Sequence, residues 1–246
     1  LAVSNEAMGF LGGSTGRFME EWLANEKASY NFISVSGNTR INVKLKGKNE
    51  TEINGTGPVI SKEEAKQLLK LIDKMNEEDT LIISGSKNKG LSETFYIEII
   101  KRLKNEGVSF VIDTNSKELL ESLKYNPFLV KPNQAELGEF FGVSIDSTED
   151  AIVYGKKLQE NGAQNVIISL GGAGAIFIDE ENTYFAKAPQ GVVVNTVGSG
   201  DSMIAGFMAG IEKGYSKLEA FELGVQSGSA TAFTEDLATK EDIQAL

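Results

Sequence analysis

The sequence contains no cysteine and no histidine among its 246 residues. Without cysteine, disulfide bonds, thiolate nucleophiles and cysteine-ligated metals are excluded. Without histidine, a Ser-His-Asp triad and histidine-ligated zinc are excluded as well. A general base must therefore be Asp, Glu, Lys or Tyr. A bound metal would be a hard ion held by oxygen ligands, which indicates magnesium or calcium.

Long apolar runs and an excess of positive charge are also lacking. No apolar stretch approaches the length that spans a bilayer, and the start of the chain carries no secretory signal. We therefore expect a cytoplasmic protein with no membrane contact. The 24 Lys and Arg residues against 35 Asp and Glu residues give a net charge of −11. This charge argues against nucleic acid as a partner, and an anionic substrate would need a local cluster of positive charge.

Helices alternate with apolar strands from Ser61 onward. Strands such as "TLIIS", "VSFVID" and "NVIISL" are apolar on both faces, which predicts a parallel sheet covered on both sides. Between Tyr30 and Pro58 the chain instead has the pattern of short strands and turns. We predict a doubly wound α/β core over residues 1–29 and 59–246, plus a β-strand lid over residues 30–58. Ligands of such cores bind at the carboxyl ends of the strands.

Two further features complete the predicted pattern near the carboxyl end of the chain. The segment "GAIFIDEENTYFAKA" predicts a hairpin that turns at Glu180–Asn182. Two long helices are predicted after it, over about 200–213 and 216–233.

The stretch "NTVGSGDSMIAGFMAG" places Gly198, Ser199 and Gly200 directly before Asp201 at the start of a predicted helix. Backbone N–H groups of a glycine-rich turn and the positive end of a helix together form an anion-binding cradle. A carboxylate beside that cradle could accept a proton from a substrate hydroxyl. The alternative is a glycine-rich turn followed by an aspartate that only stabilises the helix start.

The stretch "VKPNQAEL" marks the end of another strand. Pro132 forces Lys131 toward extended geometry, so the strand ends there. Asn133 and Glu136 have the spacing of a capping box, which explains them without any further role. In the functional alternative, both residues lie at the carboxyl end of the strand and act on magnesium and phosphate.

Two small-residue stretches also follow apolar strands. "SLGGAG", from Ser169 to Gly174, is either a tight hairpin turn or a wall of a nucleotide site. It lacks the full dinucleotide fingerprint, and the chain has no Walker-type phosphate loop. "SGS", from Ser84 to Ser86, either turns the chain or binds ligand hydroxyls.

The stretch "TRINVKLK" supplies the cluster of positive charge. Its polar and apolar side chains alternate, so they fall on opposite faces of a strand. Lysines on an edge strand discourage aggregation, which is one explanation. The other is a basic face over a phosphorylated substrate, where Arg suits phosphate better than Lys. The polar face carries Arg40, Asn42, Lys44 and Lys46.

The motifs, in the order that they have along the chain, resemble those of the PfkB (ribokinase-like) family of sugar kinases over essentially the whole chain. The segment around Asp201 is similar to the carboxyl-terminal signature of the family, and "KPNQAEL" to its Asn-x-x-Glu motif. "GNTRINVKL", "TEINGTGP" and "SGSATAFTEDLAT" resemble the branch that phosphorylates fructose 1-phosphate, and the tagatose 6-phosphate branch shares much of this. The resemblance implies a ribokinase-like three-layer α/β/α fold. It also implies ATP-dependent conversion of fructose 1-phosphate to fructose 1,6-bisphosphate.

The resemblance further implies a role for each matching residue. Asp201 would deprotonate the 6-hydroxyl, while the backbone of Gly198, Ser199 and Gly200 holds the transferring phosphoryl group. Glu136 would act on Mg²⁺, and Arg40, Asn42 and Lys44 would bind the sugar phosphate together with Asp201. A homodimer through the lid strands is also implied. The ATP-binding residues would be Lys131, Asn133, Ser169, Gly171, Gly174, Thr196, Ser227 and Ser229.

The sequence departs from the family pattern in two places. Family members begin with a longer segment that holds a first strand, a sugar-binding Asp and a Gly-Gly-Lys-type motif, none of which occurs here. We expect residues 1–246 alone to be less stable than a chain with that segment, to keep weak nucleotide binding and to lose nearly all kinase activity. The usual "SGSLP" or "SGSIP" is "SGSKNKG" here.

Two other functions stay open at this stage. One is that of another PfkB sugar kinase, such as a tagatose-6-phosphate kinase. The other is that of a non-catalytic sugar-phosphate sensor built on a kinase fold. The presence of Asp201 argues against the sensor, because a sensor does not need the base.

Overall fold

A computed structural model describes residues 1, 3–46, 50–114 and 117–246, which fold as two units. The amino-terminal unit consists of Ser4–Asp79 and Gly85–Val108. The carboxyl-terminal unit consists of Leu1–Val3, Thr80–Ser84 and Ser109–Leu246. Among the helices in these described ranges, none is long and apolar enough to cross a membrane.

The amino-terminal unit contains two small sheets. Strands β1 and β2 pair in parallel, from Glu6 opposite Ser29 to Gly12 opposite Val35. Strands β3 and β4 form an antiparallel pair. The elements of this unit are β1 (Glu6–Gly12), α1 (Gly13–Asn25), β2 (Ser29–Val35), β3 (Asn42–Lys46), β4 (Glu50–Asn54), α2 (Lys62–Ile72) and α3 (Phe95–Asn105).

The strands predicted between Tyr30 and Pro58 belong to two different sheets. The strand predicted over "YNFISV" exists as β2, but its partner is β1, whereas β3 pairs with β4. Local sequence cannot reveal this, because a strand pattern does not specify its partner. Helix α1 was not predicted, since it begins after Gly12 with no side chain capping its first turn.

Helix α2 begins as predicted. The Glu64 N–H donates to Ser61 Oγ (3.2 Å), and the Ser61 N–H donates to Glu64 Oε2 (2.7 Å), which completes the capping box. These hydrogen bonds lower the pKa of Glu64. The helix ends at Ile72.

The carboxyl-terminal unit contains a six-stranded sheet of order β10-β9-β8-β7-β6-β5. The four strands β5 to β8 are parallel, and β9 and β10 are antiparallel, which confirms the mainly parallel sheet. The elements of this unit are β5 (Thr80–Ser84), β6 (Ser109–Asp113), α4 (Lys117–Ser122), β7 (Leu129–Val130), α5 (Gln134–Phe141), α6 (Thr148–Glu160), β8 (Val166–Ser169), β9 (Ala175–Ile178), β10 (Thr183–Ala186), α7 (Ser199–Glu212), α8 (Lys217–Phe233) and α9 (Lys240–Gln244).

Helices cover both faces of this sheet, as the apolar strands predicted. On one face, a Cβ at Gly155 of α6 would lie 2.5 Å from Ile168 and 2.6 Å from Ile178, so the absence of a side chain lets α6 approach closely. On the other face, α7 and α8 pack against the sheet. Consecutive strand residues point to opposite faces, so the strands contribute apolar side chains to both layers. The result is the predicted three-layer arrangement.

The aromatic cluster between the sheet and α7–α8 contains three fully buried phenylalanines. The Phe177 ring lies 5.7 Å from that of Phe207 and 5.5 Å from that of Phe221, measured between ring centres. Such tilted ring pairs add to the free energy that burial of their apolar surface provides. The predicted hairpin is confirmed beside them, because Asp179 accepts hydrogen bonds from the N–H groups of Glu181 and Asn182 at the turn.

We predict that Phe207→Ala lowers the free energy of unfolding by about 3–5 kcal/mol, because it leaves a cavity at a site with no solvent exposure. The matched control is Phe185→Ala, since Phe185 is 46% exposed on β10 and should cost much less. Urea denaturation of both variants makes the comparison. Equal losses would show that the cluster is not the core of this unit.

Candidate active site

The carboxyl ends of the parallel strands bring polar residues to one edge of the sheet. Ser84 at the end of β5 is in register with Asp113 at the end of β6. The next pair of strands is in register through Ile112 and Val130, so Lys131 follows β7 beside Asp113. Ser169 ends β8 and forms a bridge with Asn133. This edge is where doubly wound sheets bind ligands.

Lys131 and Asp113 form a largely buried ion pair at this edge. Lys131 Nζ lies 3.4 Å from Asp113 Oδ1, and the two side chains are 7% and 18% exposed. Burial raises the pKa of the Asp113 carboxyl group, and the Lys131 ammonium opposes that effect. The negative charges of Asp201 and Glu136 raise the pKa further, so these carboxylates share one electrostatic environment with the pair.

Helix α7 begins beside the same ion pair. Gly198 has φ 79°, a left-handed conformation that glycine adopts without strain, and no side chain caps the helix. A Cβ on Gly200 would lie 3.0 Å from Lys131 Nζ, so the ammonium lies against the first turn of α7. In the part of the chain that the structure describes, no acceptor faces the N–H groups of Gly200 and Asp201. A buried cation next to free N–H groups is a site for an anion.

Asp201 lies in the first turn of α7 with its carboxylate exposed. Ser84 Oγ donates a hydrogen bond to Asp201 Oδ1 at 3.3 Å. This contact connects the helix start to the end of β5. An exposed carboxylate beside an anion-binding cradle has the position that a base acting on a substrate hydroxyl requires.

The structure contains the capping box predicted for Asn133 and Glu136. The Glu136 N–H donates to Asn133 Oδ1 (2.8 Å), and the Asn133 N–H donates to Glu136 Oε2 (2.9 Å). The capping box therefore accounts for the spacing of the two residues without any further role. It uses one of the two carboxylate oxygens of Glu136. The same hydrogen bonds hold the Glu136 carboxylate at the carboxyl end of β7, close enough to affect Asp113.

The stretch after β8 is the tight hairpin turn that was one of its two explanations. A single 3-10 turn at Gly171–Ala173 joins β8 to β9, and the Gly174 N–H donates to the Gly171 carbonyl at 3.0 Å. Gly171 is exposed with φ 57° and nothing within 4 Å of a Cβ position, so the turn has an open side. Gly174 is buried against the backbone of Ala186.

Ser227, which was predicted to bind ATP, lies between two helices, and its role in ATP binding stays a prediction. It is 2% exposed on α8, its Oγ donates to the Leu223 carbonyl (2.7 Å), and it packs against Gly206 of α7. Thr196 is exposed next to the start of α7, and its carbonyl accepts from the Ser199 N–H at 3.3 Å. Ser229 is half-buried on α8, and its nucleotide role stays a prediction.

The residues predicted to bind the sugar phosphate belong to the amino-terminal unit. Arg40 is exposed and precedes β3 by two residues, so it lies outside the observed strand, although the alternation predicted that it belongs to the strand. Asn42 Oδ1 accepts from the Gly55 N–H at 3.2 Å, so this side chain closes the β3–β4 pair. Lys44 is exposed on β3, and the side chain of Lys46 lies outside the described part of the structure.

Two residues at this edge were not among the site residues that the sequence predicted. Asp113 pairs with Lys131, and Ser84 binds Asp201. The signal for Asp113 was a single carboxylate at the end of the apolar strand "VSFVID". Ser84 was part of the "SGS" stretch, for which the turn alone was a sufficient explanation.

Comparison with known proteins identifies the family to which this chain belongs. The family model described as pfkB family carbohydrate kinase matches residues 1–243. This chain belongs to the PfkB family of carbohydrate kinases. It is therefore an enzyme of the kinase type, and kinases of this family use ATP as the phosphate donor.

Relatives of this PfkB kinase include enzymes that act on sugar phosphates. A 1-phosphofructokinase from Bacillus subtilis is 47% identical over 99% of this chain and 80% of the relative. A D-tagatose-1-phosphate kinase from Bacillus licheniformis is 38% identical over 96% of this chain and 78% of the relative. Phosphofructokinase-2 from Escherichia coli, solved with fructose-6-phosphate, has a TM-score of 0.91 at 26% identity, covering 100% of this chain and 81% of that one. These matches support a PfkB sugar-phosphate kinase with the ribokinase-like fold.

We predict that Ser199→Ala leaves this PfkB kinase as stable as the wild type or about 1 kcal/mol more stable. In the described structure the buried Ser199 Oγ has no hydrogen-bond partner, and an unpartnered buried hydroxyl is a cost. ATP affinity should not change, because the backbone N–H groups remain.

Ser227→Ala is the matched control, because its hydroxyl has a partner and its loss should cost about 1 kcal/mol. Thermal unfolding and ATP titration of both variants test the pair. A tenfold loss of ATP affinity in Ser199→Ala would mean that the hydroxyl contacts the ligand.

Proposed function

We propose that this PfkB kinase transfers the terminal phosphoryl group of ATP to the 6-hydroxyl group of fructose 1-phosphate. The observation that carries the proposal is the start of α7. There the Asp201 carboxylate, the free N–H groups and the buried Lys131 ammonium meet. The identity of 47% to the Bacillus subtilis 1-phosphofructokinase supports the choice of sugar.

In this proposal Asp201 acts as the general base. Its carboxylate accepts the proton of the 6-hydroxyl group as the sugar oxygen attacks the terminal phosphorus of ATP and the bond to the ADP oxygen breaks. The hydrogen bond from Ser84 Oγ orients one carboxylate oxygen and leaves the other for the substrate. General bases of this kind contribute factors of about 10²–10⁴ to the rate.

The transferring phosphoryl group is stabilised by the cradle at the start of α7. Among the described residues the N–H groups of Gly200 and Asp201 have no acceptor, and Lys131 adds a full positive charge beside them. These groups are in place before the reaction, so they need not reorganise as negative charge moves. We assign Lys131, Asn133, Ser169, Gly171 and Thr196 to ATP binding because they lie at the same edge of the sheet or next to the start of α7.

The residues at this edge fit magnesium bound together with ATP. In the described structure no cluster of three or more acidic side chains forms a complete metal cage. Magnesium usually keeps water ligands and binds through one or two carboxylates plus substrate phosphates. Glu136 would hold it through the carboxylate oxygen that the capping box does not use. When bound, the ion neutralises phosphate charge during transfer.

The related tagatose-phosphate kinase supports a second substrate class. The Bacillus licheniformis enzyme is 38% identical to this chain, and ketose phosphates of the two series differ only in stereochemistry. Turnover should therefore be compared on fructose 1-phosphate, fructose 6-phosphate, tagatose 1-phosphate and tagatose 6-phosphate. The proposal requires the highest kcat/KM on fructose 1-phosphate. Absence of ATP-dependent phosphorylation of any sugar phosphate would leave the sensor as the better explanation.

We also propose that β3 and β4 form a lid that pairs with a second copy of the chain. Val43 and Ile53 are opposite each other in this pair, and both are exposed, as are Ile41 and Leu45. An isolated two-stranded sheet with an exposed apolar face is only marginally stable in water.

We predict that Val43→Glu raises the dimer dissociation constant at least about tenfold, whereas Val153→Glu on α6 does not. Sedimentation equilibrium measures both, and a monomeric wild type would contradict the proposal.

We predict that Asp201→Asn lowers kcat by a factor of about 100 or more while ATP affinity changes little, because the amide cannot accept the proton. Asp146→Asn, which removes an exposed carboxylate from the loop before α6, is the matched control and should keep kcat. Steady-state kinetics and ATP titration measure the two effects. Near-normal turnover of Asp201→Asn would end the assignment of the base.

We predict that Arg40→Ala raises KM for fructose 1-phosphate about tenfold or more and leaves KM for ATP nearly unchanged. Arg40 is an exposed guanidinium in a chain of net charge −11, which has little general attraction for anions. Arg17→Ala, an exposed arginine of α1, removes the same charge and should change neither constant. Equal increases in both KM values would show that Arg40 has a structural role instead.

A further inference from the structure

The Lys131–Asp113 pair raises a question that the proposed function does not answer. A phosphate-binding site gains from positive charge, yet this ammonium is paired with a carboxylate 3.4 Å away. Considered as charge alone, Asp113 should weaken the binding of ATP. Asp201 and Glu136 are also negative and lie in the same electrostatic environment, so a third carboxylate would add to the repulsion.

The geometry of the pair suggests what Asp113 does instead. A lysine side chain is long and flexible, and its ammonium has no fixed direction of its own. Asp113 ends β6 beside the residue that follows β7, so the sheet fixes the position of its carboxylate. The ammonium lies between that carboxylate and Gly200, where a side chain on Gly200 would come within 3.0 Å of it.

We propose that Asp113 is a positioning residue that holds the Lys131 ammonium against the start of α7, where it binds the terminal phosphate of ATP. The inference rests on the proposed function for the identity of the nucleotide. It assigns Asp113 no contact with the phosphoryl group. Asp113 therefore affects ATP binding only by positioning Lys131.

The positioning role and the simple charge effect predict opposite changes in ATP affinity for Asp113→Asn. Removal of a negative charge near an anion site tightens ATP binding if charge alone matters. Loss of the positioning contact weakens it, because the ammonium is no longer held beside Gly200. We expect the dissociation constant of Mg-ATP to rise about five- to tenfold and that of Mg-ADP to rise less than about twofold, since ADP lacks the terminal phosphate.

A double-mutant cycle tests whether Asp113 acts through Lys131. Lys131→Met should remove the preference for ATP over ADP, and Asp113→Asn in that background should change the Mg-ATP dissociation constant by less than about twofold. Asp146→Asn is the control for loss of one surface charge and should leave both nucleotides unaffected. Calorimetric titration of Mg-ATP and Mg-ADP without sugar gives all the constants, and thermal unfolding checks that each variant is folded.

Three results would overturn the inference. They are equal or tighter Mg-ATP binding by Asp113→Asn, an equal loss in the presence and absence of Lys131, and a wild type that does not prefer ATP to ADP. If Asp113→Asn does not fold, Asp113→Glu keeps the charge and moves it by one methylene group. It should weaken Mg-ATP selectively, and unchanged binding would overturn the inference. A wild type that binds ATP but phosphorylates no sugar phosphate would contradict the proposed function and leave this test intact.

Discussion

The parallel pairing of β5 to β8 is the constraint on which the candidate site depends. Parallel strands in register end at the same edge of the sheet, so residues far apart in sequence become neighbours there. Ser84, Asp113 and Lys131 come from three such strands, and Ser169 comes from the fourth. A shift of one residue in any of these pairings would turn the polar side chain to the other face of the sheet.

Helix α7 gives this edge its chemical character. It begins at a left-handed glycine rather than at a capping side chain, and among the described residues the N–H groups of Gly200 and Asp201 meet no acceptor, so they are available to a ligand. An aspartate in the first turn also stabilises the helix through its positive end. The two explanations that we considered for Asp201, helix stabilisation and catalysis, are therefore compatible, because one carboxylate at the start of the helix can serve both.

The same compatibility holds for Asn133 and Glu136. Their capping box is complete, so the helix alone accounts for the spacing. It also fixes the Glu136 carboxylate at the strand end with one oxygen left over. Ser227 lies on the α8 face that packs against α7, where it is buried and its hydroxyl donates to a backbone carbonyl.

The amino-acid sequence by itself determined the local structure and the kind of chemistry. The absence of histidine and cysteine limited the base to a few residue types, and the apolar strands and capping boxes located most of the elements of the carboxyl-terminal unit. These features depend on neighbours within a few residues, so a local pattern records them.

Only the tertiary structure decided which residues meet. It paired β2 with β1, brought Asp113 to Lys131, joined Ser84 to Asp201 and buried Ser227. The physical reason is that strand partners and helix faces are chosen by packing over the whole fold, which no short stretch of sequence encodes.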